Sequence, residues 1–319
     1  DGNVLIADGD HQWVTTQKNS RKRPHRFGPT VVTTKTIART LLTANGESNH
    51  AVLAARPLQY PPAALPIQPY TLGAWLGDGS SASADLCCSE PEIVWFIEAD
   101  GYAITQRKTQ DRSAMYGIGG TGGRRDPLTG RMVATSSIHS TLKAIGLMHN
   151  KHIPEAYFAA SVDQRLALLQ GLMDTDGQVN ADGSCEFDST NVRLAEGVLR
   201  LTRGLGIISR FYQGTAKLYG REIGPKWRVT FRTKLPAARL ARKLARIQAG
   251  AAVKRTQSGV YRFIVAVEPV TPVLVKCIQV AAASEMYLAG DGCIPTHNSR
   301  IGALSAIEES TVPYSMGWC

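Results

Sequence analysis

Residues 70–79 read YTLGAWLGDG and residues 168–177 read LLQGLMDTDG. Each is an apolar helical run with an internal glycine, Gly73 or Gly171, that ends in Asp-Gly. Gly73 lies 98 residues before Gly171, and Asp78 lies 98 residues before Asp176, so the segments align without a gap and form an internal repeat. A glycine at this position lets two helices approach backbone to backbone, and the glycine after the acid permits a tight exit turn. Packed as a pair, the helices bring Asp78 and Asp176 together at their ends. Adjacent carboxylates repel unless a divalent cation sits between them, and Mg²⁺ favours hard oxygen ligands shared with phosphate. The chemistry that suits this arrangement is metal-assisted phosphodiester cleavage.

The chain has 319 residues, enough for about two domains at roughly 150 residues each. Lys and Arg number 36 against 26 Asp and Glu, a net charge of +10 that points to a polyanionic partner. The composition, 43% hydrophobic and 19% charged, fits an ordinary globular chain and excludes disordered and collagenous classes. No apolar run approaches the ~20 residues needed to cross a bilayer, so no membrane partner is expected. The opening DGNVLIADGDHQW lacks the basic-then-apolar order of a signal peptide, and the chain reads as a piece of a longer protein starting mid-domain. Cys87, Cys88, Cys185, Cys277, Cys293 and Cys319 include no Cys-x-x-Cys pair and no His at zinc spacing, which argues against structural zinc and a disulfide framework.

Working outward from the repeat, RPLQYPPAALPIQP at 56–69 holds five prolines and marks a boundary. Before it, VLIA, HQWVTT and TVVTTKTI at 30–37 read as strands. Between the last two lies QKNSRKRPHRF, with Lys18, Arg21, Lys22, Arg23 and Arg26 and no acid, either a solvated basic loop or one that contacts phosphates. From Leu235 to Ile247 the spacing predicts an amphipathic helix with Arg239, Arg242, Lys243 and Arg246 on one face and Leu240, Leu244 and Ile247 on another. After Gly259, VYRFIVAVEPV, VLVKCIQVAA and MYLAGDGCIP return to strand patterns. The two ends of the chain are alike in type, and the middle looks inserted.

The paired motif resembles the helix for which the LAGLIDADG homing endonucleases are named. LQGLMDTDG at 169–177 matches closely, and TLGAWLGDG at 71–79 keeps the Gly and the final Asp-Gly. NKHIPEAYFAAS at 150–161 and FDSTNVRLAEGVLRLTRGLGI at 187–207 are also typical of that family. The resemblance implies a mixed α/β endonuclease with pseudo-twofold symmetry, each half setting an antiparallel sheet in the DNA major groove. It implies Asp78 and Asp176 as metal-binding catalytic acids with Mg²⁺ as cofactor, and Lys151 and Lys234 as candidate supporting lysines. Double-stranded DNA would be the partner, with Lys18, Arg21, Lys22, Arg23, Arg239, Arg242, Lys243 and Arg246 expected near its backbone.

A second chemistry stands at the other end. In IPTHNS at 294–299, the Asn298 amide can attack its own carbonyl and cleave the next peptide bond, while His297 protonates the leaving amine and the Ser299 hydroxyl accepts an acyl group. VLVKCIQVAAASEMYLAGDGCIPTHNS resembles the C-terminal splicing region of inteins, and ADGDHQWVTT at 7–16 their internal histidine motif. The combination is similar to inteins of bacterial and phage replicative helicases and terminases. It implies an all-β splicing domain of the HINT, or horseshoe, type from residues 1–56 and 256–298, an endonuclease over 57–255 and a downstream host segment over 299–319. The host would be a DNA helicase or terminase ATPase, the location cytoplasmic in a bacterial or phage-infected cell, and the state monomeric.

Trp13, Cys277 and Thr296 resemble the triplet of class 3 inteins, in which an internal cysteine attacks the upstream junction. That resemblance implies attack by Cys277 with His11 activating the scissile amide, transfer to Ser299, and release by cyclisation of Asn298. Splicing would need no cofactor. The competing expectations are a DNA-binding protein with the LAGLIDADG fold that does not cleave, a degenerate intein, and a self-cleaving domain of the Hedgehog type. Retention of both Asp78 and Asp176 disfavours the first, and His297-Asn298-Ser299 the last.

Overall fold

The computed structural model describes residues 2–23, 25–110, 113–121, 123–125, 127–128, 132–134, 138–252, 259–273, 280–297 and 314–318. The chain is mixed α/β and divides into two compact units. One comprises Asp1–Arg56, Gly206–Ile208 and Arg255–Cys319, and the other Pro57–Leu205 and Ser209–Lys254. Among the described residues no helix is long and apolar enough to cross a membrane.

The first unit is dominated by β-structure. Its largest sheet runs in the order Val4–Ala7, Tyr314–Trp318, Tyr261–Pro269, His50–Leu53, Gln12–Gln17, Thr30–Thr33. Met286–Ala289 and Ile294–His297 form a separate hairpin. Ala7, Trp13, Ile37, Val52, Ile264 and Ile294 make its apolar core. The strand expected over 30–37 stops at Thr33, whose hydroxyl accepts from the Thr36 N–H and caps a helix over Thr34–Arg39. Local capping defeats the β-branched run because it satisfies a helix-end N–H, and Ile37 then turns into the core. Of the segment expected to be host protein, Tyr314–Trp318 pairs antiparallel with Val4–Ala7 and with Tyr261–Pro269. Residues 274–279, the middle of the expected strand VLVKCIQVAA, lie outside the described residues.

The second unit repeats one plan. The first motif helix is Pro69–Asp78, opened by a proline at its first turn, where the missing N–H costs nothing. After it come a strand Asp85–Cys88, a helix Pro91–Ala99 and a hairpin of Tyr102–Gln110 with Ser113–Thr121. The second motif helix, Val162–Asp174, is opened by a capping box in which Ser161 and Gln164 bond each other's backbone. It leads to strands Gly177–Val179 and Cys185–Ser189, a helix Val192–Gly204 and a hairpin of Ser209–Leu218 with Arg221–Phe231. Both sheets place the last hairpin strand beside the strand that precedes the second helix of the half, Asp85–Cys88 before Pro91–Ala99 and Cys185–Ser189 before Val192–Gly204. Gly79 bridges to Leu86 where Gly177 bridges to Phe187, so the exit glycines are equivalent.

The helix expected over 235–247 is displaced. It runs from Ala241 to Ala252, and residues 235–240 approach it in irregular conformation. The Arg239 and Leu240 N–H groups both donate to the buried Asp174 carboxylate, and Gln170 donates to the Pro236 carbonyl. Asp174 thus holds the chain just ahead of the first helical turn, at the end where helix N–H groups welcome an anion.

Candidate endonuclease and splicing sites

The motif helices touch backbone to backbone. A Cβ placed on Gly73 would stand 2.3 Å from the Leu168 carbonyl oxygen, and one on Gly171 would stand 2.2 Å from that of Tyr70. A Cβ on Gly77 would meet the Thr175 hydroxyl at 2.0 Å, so the helices stay close to their C-terminal ends. That closeness brings the Asp78 and Asp176 carboxyls into hydrogen-bonding contact. Burial raises the Asp78 carboxyl above the usual range. Asp176 is pushed up to about 6 by desolvation and by the Asp78 charge, although water still reaches its residue surface.

One lysine closes each helix end. Lys151 Nζ donates to the Gly77 and Gly79 carbonyls at 2.9 and 2.6 Å and lies over the Trp75 ring. Lys243 Nζ donates to the Met173, Asp174 and Gly177 carbonyls at 2.7, 2.8 and 2.7 Å. Ammonium groups here satisfy helix-terminal carbonyls and complement the negative end of the dipole. Both also pull the two carboxyls back toward ionisation. Lys234 is exposed and lies in the irregular lead-in. The lysine that sequence reading missed in this role is Lys243, which is buried and has no face to offer a phosphate backbone. The signal was present, because Lys243 sits three residues after Leu240 and four before Ile247, on the apolar stripe itself.

Two crowded carboxyls beside two lysines are a suitable donor set for a hard divalent cation. Burial has raised both, the Asp78 charge has raised Asp176 further, and a cation would relieve that repulsion. Among the described residues no group of three or more His, Cys, Asp or Glu gathers as a metal site, so any cation here rests on the two carboxylates alone. Two protein carboxylates leave the remaining positions of an octahedral ion to water and phosphate oxygens.

Most of the basic residues expected near DNA have internal duties. Arg21 is buried and donates to the Thr16, Asn49 and Ser48 carbonyls, which corrects its placement as a phosphate-facing residue. Lys18 pairs with Glu47, whereas Lys22 and Arg23 are exposed. Arg239 lies over the Tyr70 ring and donates to Gln170, Arg242 pairs with Glu90, and Arg246 donates to the Val179 carbonyl. Polar groups that reading missed line the open faces of the sheets. Tyr212, Lys226, Arg228, Thr230 and Glu186 border a groove of about 550 Å³. In it Arg228 clasps Asp188 through two bonds of 2.6 and 2.7 Å and also reaches Glu186. The other sheet carries a smaller groove with Asp85 and Arg107 paired at 3.0 Å.

In the first unit the strands Gln12–Gln17 and Ile294–His297 bring several of the expected splicing residues together. His11 Nε2 and Thr296 Oγ1 are 2.5 Å apart, and the His11 and Trp13 rings meet edge to face at 4.8 Å. Trp13 is buried and donates to the Thr34 hydroxyl. Burial lowers the His11 pKa, and His297 lowers it further, which favours a neutral His11 able to accept a proton. His297 faces Glu285 at 3.6 Å. Cys277, Asn298 and Ser299 lie outside the described residues.

Residues 163–245 match the LAGLIDADG-like domain family. Over 318 residues the chain is 37% identical to a replicative DNA helicase DnaB of Mycobacterium intracellulare, covering 95% of this chain and 50% of that protein. The chain therefore spans about half the length of the curated relative it matches. Among solved structures, a mesophilic variant of the homing endonuclease I-DmoI is 13% identical with a TM-score of 0.33, covering 58% of this chain and 94% of that one. I-DmoI in complex with DNA and Ca is also 13% identical with a TM-score of 0.33, covering 52% and 82%. The family match thus falls within the second half of the motif-bearing unit.

Proposed function

We propose that the chain is an intein carrying a Mg²⁺-dependent, site-specific double-strand DNA endonuclease, set within a replicative helicase. The observation that carries the endonuclease reading is the contact of Asp78 with Asp176 at the ends of two glycine-paired helices. These two carboxylates would hold Mg²⁺, which when bound supplies Lewis-acid stabilisation of charge at the scissile phosphate. Lys151 and Lys243 fix the carbonyl ends on which the carboxylates sit and place positive charge beside the carboxylate pair. The sheet faces around Arg228 and Arg107 would meet the bases, and contacts to phosphates would make binding salt-sensitive. The relative's name supports a helicase host, and its extra length leaves room for flanking sequence.

For splicing, His11 would take up the proton at the upstream junction, with Thr296 holding its ring and Trp13 packing beside it. Cys277, Ser299 and Asn298 would act in the order given by the class 3 resemblance, with His297 protonating the leaving amine. Such a protein would act as a monomer in the cytoplasm. The test of the endonuclease is incubation of the full chain and Mg²⁺ with a plasmid bearing an uninterrupted coding sequence of the helicase. Linear product that disappears on chelation is the expected result, and an intact supercoil overturns the reading. For splicing, mass spectrometry of a precursor with host flanks on both sides should yield ligated flanks, and Cys277→Ala should block upstream cleavage. Normal splicing by that variant contradicts the assignment of Cys277.

A further inference from the structure

We propose that Asp174 is a positioning residue for one half of the endonuclease site, setting Lys243 in place while leaving Lys151 untouched. The inference rests on the endonuclease reading only for its effect on cleavage. Asp174 is 2% exposed, yet its carboxylate is fully engaged. It accepts from the Tyr70 hydroxyl at 2.9 Å, from the Arg239 N–H at 3.0 and 3.1 Å, and from the Leu240 N–H at 3.1 Å. Tyr70 belongs to the first motif helix, and Arg239 and Leu240 immediately precede the helix Ala241–Ala252. One carboxylate therefore ties the start of that helix to the motif pair.

Lys243 lies in the first turn of the same helix, and its ammonium reaches back to three carbonyls at the end of the second motif helix. The anchor and the lysine form a closed loop. Asp174 sets where the helix begins, and Lys243 reports that placement beside Asp78 and Asp176. Arg239 reinforces the anchor, with its guanidinium 4.1 Å from the Tyr70 ring centre and its Nε bonded to Gln170.

The other half is built differently. The position 98 residues before Asp174 is Leu76, a buried apolar side chain with no polar atom to offer. Lys151 lies outside any helix, in the stretch between Ile138–Ala144 and Glu155–Phe158, and its carbonyl accepts from the Asn191 side chain at 2.7 Å. Loss of the Asp174 charge should accordingly loosen Lys243 and leave Lys151 where it is.

The test is amine acetylation of the full native chain and of Asp174→Asn, read by peptide mass spectrometry, with end-labelled DNA cleavage followed on each strand separately. Asp174→Asn keeps the shape and one acceptor, and Tyr70→Phe, which removes only the hydroxyl contact, is the milder variant should it fail to fold. The expected result is at least a tenfold rise in Lys243 acetylation, smaller in Tyr70→Phe, with Lys151 protected as in the native chain. Cleavage should slow at least tenfold on one strand, so that nicked DNA accumulates. Equal loosening of both lysines shows a merely structural role and overturns the proposal, as does unchanged Lys243. If the native chain cuts no DNA while Lys243 alone loosens, the endonuclease reading fails and the positioning role stands.

Discussion

The two halves of the motif-bearing unit share a backbone plan and differ in how each secures the end of its helix. In the first half, Lys151 arrives from a non-helical stretch and Trp75 and Leu76 pack in the interior. In the second, Lys243 arrives from a helix whose start is fixed by a buried carboxylate. What the halves must share is the close approach at Gly73 and Gly171, because only that approach joins Asp78 to Asp176. How each lysine is delivered is free to differ, since any scaffold that puts an ammonium on the terminal carbonyls meets the same need.

The comparison breaks first at its shared element. An alanine replacing a mid-helix glycine ordinarily gains roughly 0.5–1 kcal/mol. At Gly171 the sign should reverse, because the new methyl meets backbone atoms of the other helix that have no room to move. Gly171→Ala should cost at least ~1–3 kcal/mol, and Gly171→Val more, read as a lower urea midpoint. A stabilised Gly171→Ala would show that the helices are not in backbone contact.

Next come the lysines. Lys243→Met and Lys151→Met should each slow cleavage by about 10- to 100-fold, on opposite strands, in an assay with separately labelled strands. Loss of the same strand by both variants would remove the distinction between halves. The first unit offers a control of opposite character. His50 is fully buried between the Thr15 and Thr40 hydroxyls, and burial lowers its pKa to about 4. The unfolded chain takes a proton below about pH 6.5 while the folded chain declines it until about 4. Stability from this group is therefore complete above pH 6.5 and falls, by up to about 3 kcal/mol, as the pH drops toward 4. His50→Gln should flatten that slope in pH-dependent urea melts, and an unchanged slope would contradict the neutral buried state. The smallest effect belongs to the open sheet face, where Lys226→Ala should lower the salt slope of DNA binding by about 1.

Much of this was legible in the residues, because glycines and acids in a repeated register leave few alternatives. The gapless 98-residue offset already implied the helix pair and the carboxylate contact. What escaped was decided by tertiary partners. Arg21 reads as a surface cation until three carbonyls are seen to claim it. Lys243 and Arg239 look like one cationic face only if the helix starts at Leu235, and Asp174 moves that start to Ala241. Thr30 to Ile37 reads as strand by β-branching alone, and the Thr33 cap overrules it. The sheet-face residues Glu186, Asp188, Lys226 and Arg228 alternate too weakly to declare a face before their strands are paired.

The measurement that bears most directly on the account is Mg²⁺-dependent cleavage by Asp78→Asn and Asp176→Asn, with DNA affinity determined in parallel. The account predicts that each variant loses at least about a hundredfold in cleavage rate while binding DNA as tightly as the native chain. Cleavage at the native rate by either variant would contradict it, for the shared carboxylate pair would then not be the catalytic centre.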